Sequence, residues 1–169
     1  ETVRDQALFI SGLLAERVGG PSLWPYQPDG LWKEIASTTN YEQSHGNDLY
    51  RRSLYTYWKR TVAPPTMVTL DATSRESCIV KRSRTNTPLQ ALALMNEVTF
   101  VEAARMLAQR VMNSSEAATD RRIGQAFQRV VSRLPTVKER EVMSQAYESY
   151  LGAFQENPQA AGKLLSVGE

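Results

Sequence analysis

The stretch Thr87-Pro88-Leu89-Gln90 constrains this chain more than any other. A threonine hydroxyl accepts from the backbone N–H three residues on, Pro88 arrives with a φ suited to the first helical position, and Gln90 reaches back to the threonine N–H. Together they close a capping box. A helix therefore begins at Thr87 and runs to about Met95, with a break near Asn96. Thr136 repeats the device with Glu139, and Asn157-Pro158 opens a short last helix that runs out at Gly168. Between these starts, Phe100, Ala104, Leu107 and Val111 fall in helical register over 98–112. Ile123, Ala126, Phe127, Val130, Val131 and Leu134 do so over 120–133, and Val142, Met143, Ala146, Tyr147, Tyr150, Leu151 and Phe154 form a predicted core stripe after Thr136. Short connections between such helices imply antiparallel neighbours. The expected fold is all-α: an irregular helical bundle with a long ordered loop region in its first half.

That first half is less regular. Val3, Ala7, Ile10 and Leu14 predict a largely buried helix over 3–18, ended by Gly19-Gly20-Pro21. Prolines 21, 25 and 28 then impose a stiff loop carrying Trp24 and Tyr26. Leu31 to Ser37 predicts two helical turns before a polar loop. From Leu49 to about Thr61, capped by Asn47 or Asp48, the pattern fits a helix with Tyr50, Leu54, Tyr57, Trp58 and Thr61 on one face and Arg51, Arg52, Lys59 and Arg60 opposite. A strand over 53–58 is the competing reading, but both of its faces would be apolar. Thr66 to Leu70 reads as a short extended piece, and Asp71 to Ser77 as a turn.

With 169 residues, 41% of them apolar and 22% charged, the chain suits one globular domain spanning 1–169. No run of 18 apolar residues is present, so no membrane span is expected. The net charge of +2 conceals an asymmetry: residues 1–50 carry three basic and seven acidic side chains, residues 51–84 eight basic and two acidic. The favoured reading is internal neutralisation of one segment by the other, which disfavours nucleic acid as a partner. The chain opens on Glu1-Thr-Val-Arg-Asp-Gln, which reads as the interior of a helix rather than a signal peptide, so a fragment of something longer is expected.

Candidate chemistry is sparse. Glycine-rich phosphate loops and Cys-x-x-Cys-His are absent, and a single cysteine allows neither an internal disulfide nor a cysteine-rich metal site. His45, with Glu42 or Asp48 as orienter, has the residue types of a general base, but a structural loop histidine is favoured. Cys78 has cationic neighbours in Lys81, Arg82 and Arg84, yet Ile79 and Val80 favour burial over reactivity. Axial ligation of haem by His45 with Cys78 or Met67 has no support from spacing. Asp71 and Glu76 offer the carboxylates of glycoside chemistry, and a turn in which Asp71 pairs with Arg75 is preferred. Trp24, Tyr26 and Tyr55 lie outside the regular apolar faces and are the candidates for stacking on a sugar ring or a base.

The motifs Gly19-Gly-Pro-Ser22, Pro25-Tyr-Gln-Pro28, His45-Gly-Asn-Asp-Leu-Tyr-Arg-Arg52, Trp58-Lys-Arg-Thr61, Asp71-Ala-Thr-Ser-Arg-Glu-Ser-Cys78 and Arg84-Thr-Asn-Thr-Pro-Leu-Gln90 together resemble a planctomycete-specific C-terminal domain of unknown function, domain-of-unknown-function family 1553. The resemblance runs over roughly residues 1–155, and the chain is similar to the second half of that domain. Leu70 and Thr73 depart from the Phe and Pro that the family tends to carry. The resemblance implies an extracytoplasmic setting in a multidomain protein that also carries a haem c module. It brings no catalytic residue, no metal ligand and no cofactor to this chain, and an enzyme is not the favoured reading. The expected role is interaction or scaffolding, with other domains of the parent protein, the haem c module among them, as partners. The basic residues Arg51, Arg52, Lys59, Arg60, Arg82 and Arg84 suit an acidic partner surface. The alternative is a polysaccharide-binding or polysaccharide-processing site built from Trp24, Tyr26 and the His45 to Asp48 corner.

Overall fold

A computed structural model describes residues 1–36, 41–59, 61–114 and 118–169. Its helices are α1 (Thr2–Ser11), α2 (Leu31–Ala36), α3 (Pro65–Thr69), α4 (Pro88–Asn96), α5 (Val98–Met112), α6 (Thr119–Val131), α7 (Val137–Glu156) and α8 (Pro158–Leu165), with 3₁₀ turns at Gly46–Asp48 and Ser53–Tyr55. No strand forms among the described residues, so the chain is all-α with an irregular first half, as its sequence predicts. Helix α1 packs on α5, and α5 to α8 follow as successive neighbours.

Helices α4, α7 and α8 start where predicted because their caps are local, although α8 ends at Leu165 rather than near Gly168. Thr87 Oγ1 accepts from Gln90 N at 3.3 Å while Gln90 Oε1 accepts from Thr87 N at 3.2 Å. Thr136 and Glu139 make the same reciprocal pair, and Asn157 Oδ1 caps α8 through Ala160 N. The Gln90 amide also donates to Asp71 and Thr85, and Asp71 accepts from both the N–H and the hydroxyl of Thr85. Asp71 is thus tied to the α4 cap, and Arg75, its expected partner, binds Glu1 instead. Thr87→Ala is expected to cost about 1 kcal/mol, the usual worth of a hydroxyl N-cap, seen as a lower midpoint in urea unfolding with unchanged slope.

Three predictions for the first half fail, one of them because side chains from elsewhere take the backbone groups a helix would need. Helix α1 stops at Gly12, six residues before the predicted end. Gly12 lies at φ 82°, Leu13 N and Leu14 N both donate to Leu8 O, and a Cβ at Gly12 would sit 2.6 Å from the Arg110 guanidinium. The buried face of α1 is Arg4, Leu8 and Ser11, whereas Val3 and Phe9 face solvent.

The helix predicted over 49–61 does not form. In a helix Ser53 N would donate to Leu49 O; here the Arg4 guanidinium takes Leu49 O at 2.7 Å, and Asp5 Oδ1 takes Ser53 N at 2.7 Å. The segment instead runs extended beside 13–23, through Ala15 N to Tyr50 O, Leu23 N to Tyr55 O and Tyr57 N to Leu23 O. Finally, Pro65–Thr69 is a helical turn rather than an extended piece, with Pro65 at the first turn where a missing N–H costs nothing.

The core joins Leu8, Leu49 and Tyr50, with Leu13, Leu14, Ala15 and Tyr26 packed against them. Phe100, Ala103 and Val111 bury the inner face of α5. The predicted stripe of α7 is not core: Val142, Tyr147, Tyr150 and Leu151 are exposed, as are Val130, Val131 and Leu134 around the end of α6. Cys78, expected inside, is exposed as well, beside exposed Ile79 and Val80. The acidic and basic segments do meet: the Glu1 carboxylate accepts from Arg82 at 2.8 Å and Arg75 at 3.2 Å, and Arg82 above all holds it below the usual carboxylate range.

Candidate functional site

Two buried guanidiniums hold the front of the molecule together. Arg4 donates to the carbonyls of Leu49 and Arg51 and to Ser53 Oγ. Burial pushes its pKa down, partly offset by Asp5 and Glu97. Glu97 is itself pushed up by burial. Arg4 Nε and Glu97 Oε2, neither with a protein hydrogen-bond partner, belong to residues lining a partly open cavity of about 20 Å³, large enough for one water.

Arg51, predicted on an exposed basic face, is 1% exposed. It donates to the carbonyls of Gly19 and Pro21, and its guanidinium carbon lies 4.1 Å from the Tyr55 ring centroid. Arg51 is therefore not part of a basic surface. Arg52 is exposed, Lys59 sets its ammonium 4.4 Å from the Trp32 ring centroid, and Arg60 lies outside the described residues. Arg82 and Arg84 are exposed on a separate loop.

The aromatics form a closed set. Trp24 stacks on Tyr57 with centroids 4.2 Å apart and planes 11° from parallel, while Trp32 and Tyr41 approach it at 5.2 and 5.4 Å. The Trp24 backbone N–H donates to Ser44 Oγ, and the Tyr41 hydroxyl donates to Pro25 O. A sugar stacking on Trp24 in place of Tyr57 would have to displace that ring. Tyr55, the third stacking candidate, is engaged by Arg51, and its hydroxyl accepts from Gly19 N.

The most organised polar site lies where α5 meets the front segment. Glu102, 1% exposed, accepts from the Tyr50 hydroxyl at 2.7 Å, the Tyr26 hydroxyl at 3.1 Å and Glu169 N at 2.8 Å. Arg105 stands 3.6 Å from the same carboxylate and donates to the Glu169 main-chain oxygen. Burial, above all, pushes the Tyr26 phenol up to about 12 and raises Tyr50 as well. On the rim, His45 Nδ1 lies 2.6 Å from the Glu169 carboxylate, which also accepts from Gly46 N at 2.7 Å. Asp48, the other member of the predicted corner, points away to an ion pair with Arg17 at 2.5 Å. So the structure brings Tyr26 and His45 to one site, through Glu102 and Glu169, and leaves Trp24, Asp48, Arg82 and Arg84 elsewhere.

Sequence reasoning missed Arg4 and Glu102. Their signal was a charged residue in a buried register: Arg4 with Leu8 and Ser11, and Glu102 with Thr99 and Ala103. A charge so placed needs paired donors or acceptors inside, and both find them. Chemically, Glu102 is a braced anion whose oxygens are occupied by phenols and an amide. Among the described residues no three His, Cys, Asp or Glu side chains come together as a metal site would require.

Fold and site together define an all-α domain with irregular loops pinned by buried charge. A family model described as PSD1, protein of unknown function (DUF1553), matches residues 1–147, and the chain belongs to that family. Searches of curated proteins and of solved structures found no match. The matched span ends within α7, so it includes every residue of the Glu102 site except those of the segment after α8.

Proposed function

We propose that this domain is a docking module of a larger exported protein associated with cytochrome c, binding an apolar helical segment of a neighbouring domain. One observation carries the reading: α4 has no buried residue, and Leu89, Leu92, Leu94 and Met95 are 59, 57, 43 and 72% exposed. A nine-residue helix is marginal without tertiary packing, so α4 needs a partner on this face. Helix α4 carries no charged residue, which makes that partner apolar rather than ionic. Leu94 and Met95 form one wall of a groove of about 810 Å³ whose other sides are Phe100 and Met112 of α5 and Leu164 and Leu165 of α8. Exposed apolar surface of this extent marks interaction sites. The basic residues first favoured for docking support it less, because Arg51 is internal and Arg82 is engaged by Glu1.

The test is titration calorimetry of the chain against the adjoining domain of the same polypeptide, the haem c module first. Burying one Leu or Met is worth about 1.5–3 kcal/mol, so Leu94→Glu with Met95→Glu should weaken binding on the order of a hundredfold or more. Thermal unfolding should barely move, since both side chains are exposed. Unchanged affinity in this double variant, or an equal loss in Arg52→Glu, would discard the apolar groove as the docking surface.

A further inference from the structure

The segment following α8 returns across the molecule and is held at four points. Glu169 N donates to Glu102 Oε1 at 2.8 Å, Arg105 donates to the Glu169 main-chain oxygen at 2.8 Å, and the Glu169 carboxylate takes His45 Nδ1 at 2.6 Å and Gly46 N at 2.7 Å. Each of these contacts links residues more than sixty positions apart. The preceding residue is equally specified. Gly168 lies at φ 87°, and a Cβ there would fall 2.3 Å from the Glu102 carboxyl carbon, too close for any side chain. The Glu102 carboxylate is pinned at both oxygens by the Tyr50 and Tyr26 hydroxyls, so it cannot swing aside without breaking them.

We infer that Glu102, Arg105, His45 and Gly46 form a peptide-binding site that reads a glycine-glutamate step, filled in cis by Gly168-Glu169. Glu102 and Arg105 read the backbone, one by its N–H and the other by its carbonyl, as a neighbouring strand would. The wall of Glu102 excludes any residue larger than glycine at the first position. His45 and the Gly46 N–H select an acid at the second, because both present donors to a carboxylate. Although burial pushes the Glu169 carboxyl up, the Gly46 N–H and the His45 ring outweigh it and hold the group below its ordinary range. The site is distinct from the apolar groove, but its occupancy fixes the end of α8, whose Leu164 and Leu165 form one wall of that groove.

The experiment uses the full chain carrying Gly168→Ala with Glu169→Ala, which should empty the site without touching its walls. Hydrogen exchange at the Gly46 amide should rise by at least about tenfold relative to the unaltered chain, the factor that losing one charge-assisted hydrogen bond produces. The peptide acetyl-Ser-Val-Gly-Glu, added in trans, should then shift the His45 ring resonances of this variant and leave those of the unaltered chain in place. Peptides with Ala for Gly or Gln for Glu should bind at least about tenfold more weakly, one lost contact each. A Gly46 amide whose exchange does not change in the double variant would overturn the site, and so would a released variant that ignores the peptide. Equal binding by the unaltered chain, or indifference to the Ala and Gln peptides, would overturn it as well. Folding of the variant is checked independently by the Leu13 and Ala15 amides, which donate to the core carbonyls of Leu8 and Tyr50 and should stay protected.

Discussion

Arg4→Ala is expected to destabilise the chain by about 3–5 kcal/mol, the usual cost of removing one side of a buried charged network. The side chain is 6% exposed and supplies hydrogen bonds to Leu49 O at 2.7 Å, Arg51 O at 2.9 Å and Ser53 Oγ at 3.3 Å. Truncation leaves two buried carbonyls without donors, at about 1–3 kcal/mol each. It also opens a cavity next to Leu8 and removes the cation that faces the buried Glu97 carboxylate. Arg4→Met separates volume from hydrogen bonding: it refills the space and restores no donor, so it should recover only a minor part of the loss. Arg4→Lys should fall between, because one ammonium on a flexible stem cannot reproduce a planar fork that serves the Leu49 and Arg51 carbonyls together. Domains are stable by about 5–15 kcal/mol in all, so the alanine variant should sit close to unfolding at ambient temperature. Guanidinium chloride denaturation followed by tryptophan fluorescence measures the difference. An Arg4→Met midpoint equal to that of the unaltered chain would show that the two carbonyls are served by water and that Arg4 is not the brace described.

The same residue explains where sequence reading succeeded and where it stopped. Helices α4, α7 and α8 were legible from a Thr or Asn cap specified within a few residues, and α5 and α6 from their apolar period. The 49–61 segment satisfied those local rules equally well, with an Asn-Asp cap and an apolar face, yet it is extended. What decides it is a pair of side chains on α1, Arg4 and Asp5, that take the carbonyl and the N–H a helix would have joined. Nothing within 49–61 records that competition. Burial was misread for a related reason. Arg51 reads as surface by its charge, and only the turn at Gly19 to Pro21 shows that the two ends of its guanidinium find carbonyl acceptors inside. Val142 and Tyr147 read as core by their period, and no described element covers them. Of the candidate site residues, Tyr26 and His45 were legible as unusual loop positions, whereas Glu102, which joins them, looked like one more helical acid.

The Glu102 site makes the second large prediction, on two axes. Glu102→Leu deprives Tyr50, Tyr26 and the Glu169 N–H of their acceptor at once. Replacing a buried ion by a hydrocarbon can be neutral when its partner is removed too. Here the partners remain: Tyr50 is 8% exposed and cannot turn to water, while Tyr26 and Glu169 N can do so in part. The lost hydrogen bonds should therefore outweigh the relief of desolvation, with a net cost of about 2–4 kcal/mol. Glu102→Gln, which keeps one acceptor oxygen but presents an N–H₂ to a phenol, should cost about half as much. The pH axis is independent of mutation. Both phenols are held in the neutral form, Tyr26 with a folded pKa raised to about 12. A raised folded pKa means that the stabilisation is complete below the unfolded value, about 10 for tyrosine. It is then lost as pH climbs through about 12. Denaturation midpoints should accordingly hold steady up to pH ~10 and fall between pH ~10 and pH ~12, with phenolate absorbance rising in step. In Glu102→Leu the Tyr26 phenol should still titrate late, since burial is the leading cause of its shift, but the carboxylate repulsion is gone and the transition should move to lower pH. Should both tyrosines of the unaltered chain titrate near the free value, the carboxylate is open to solvent, and the buried site inferred from Glu102 does not exist in solution.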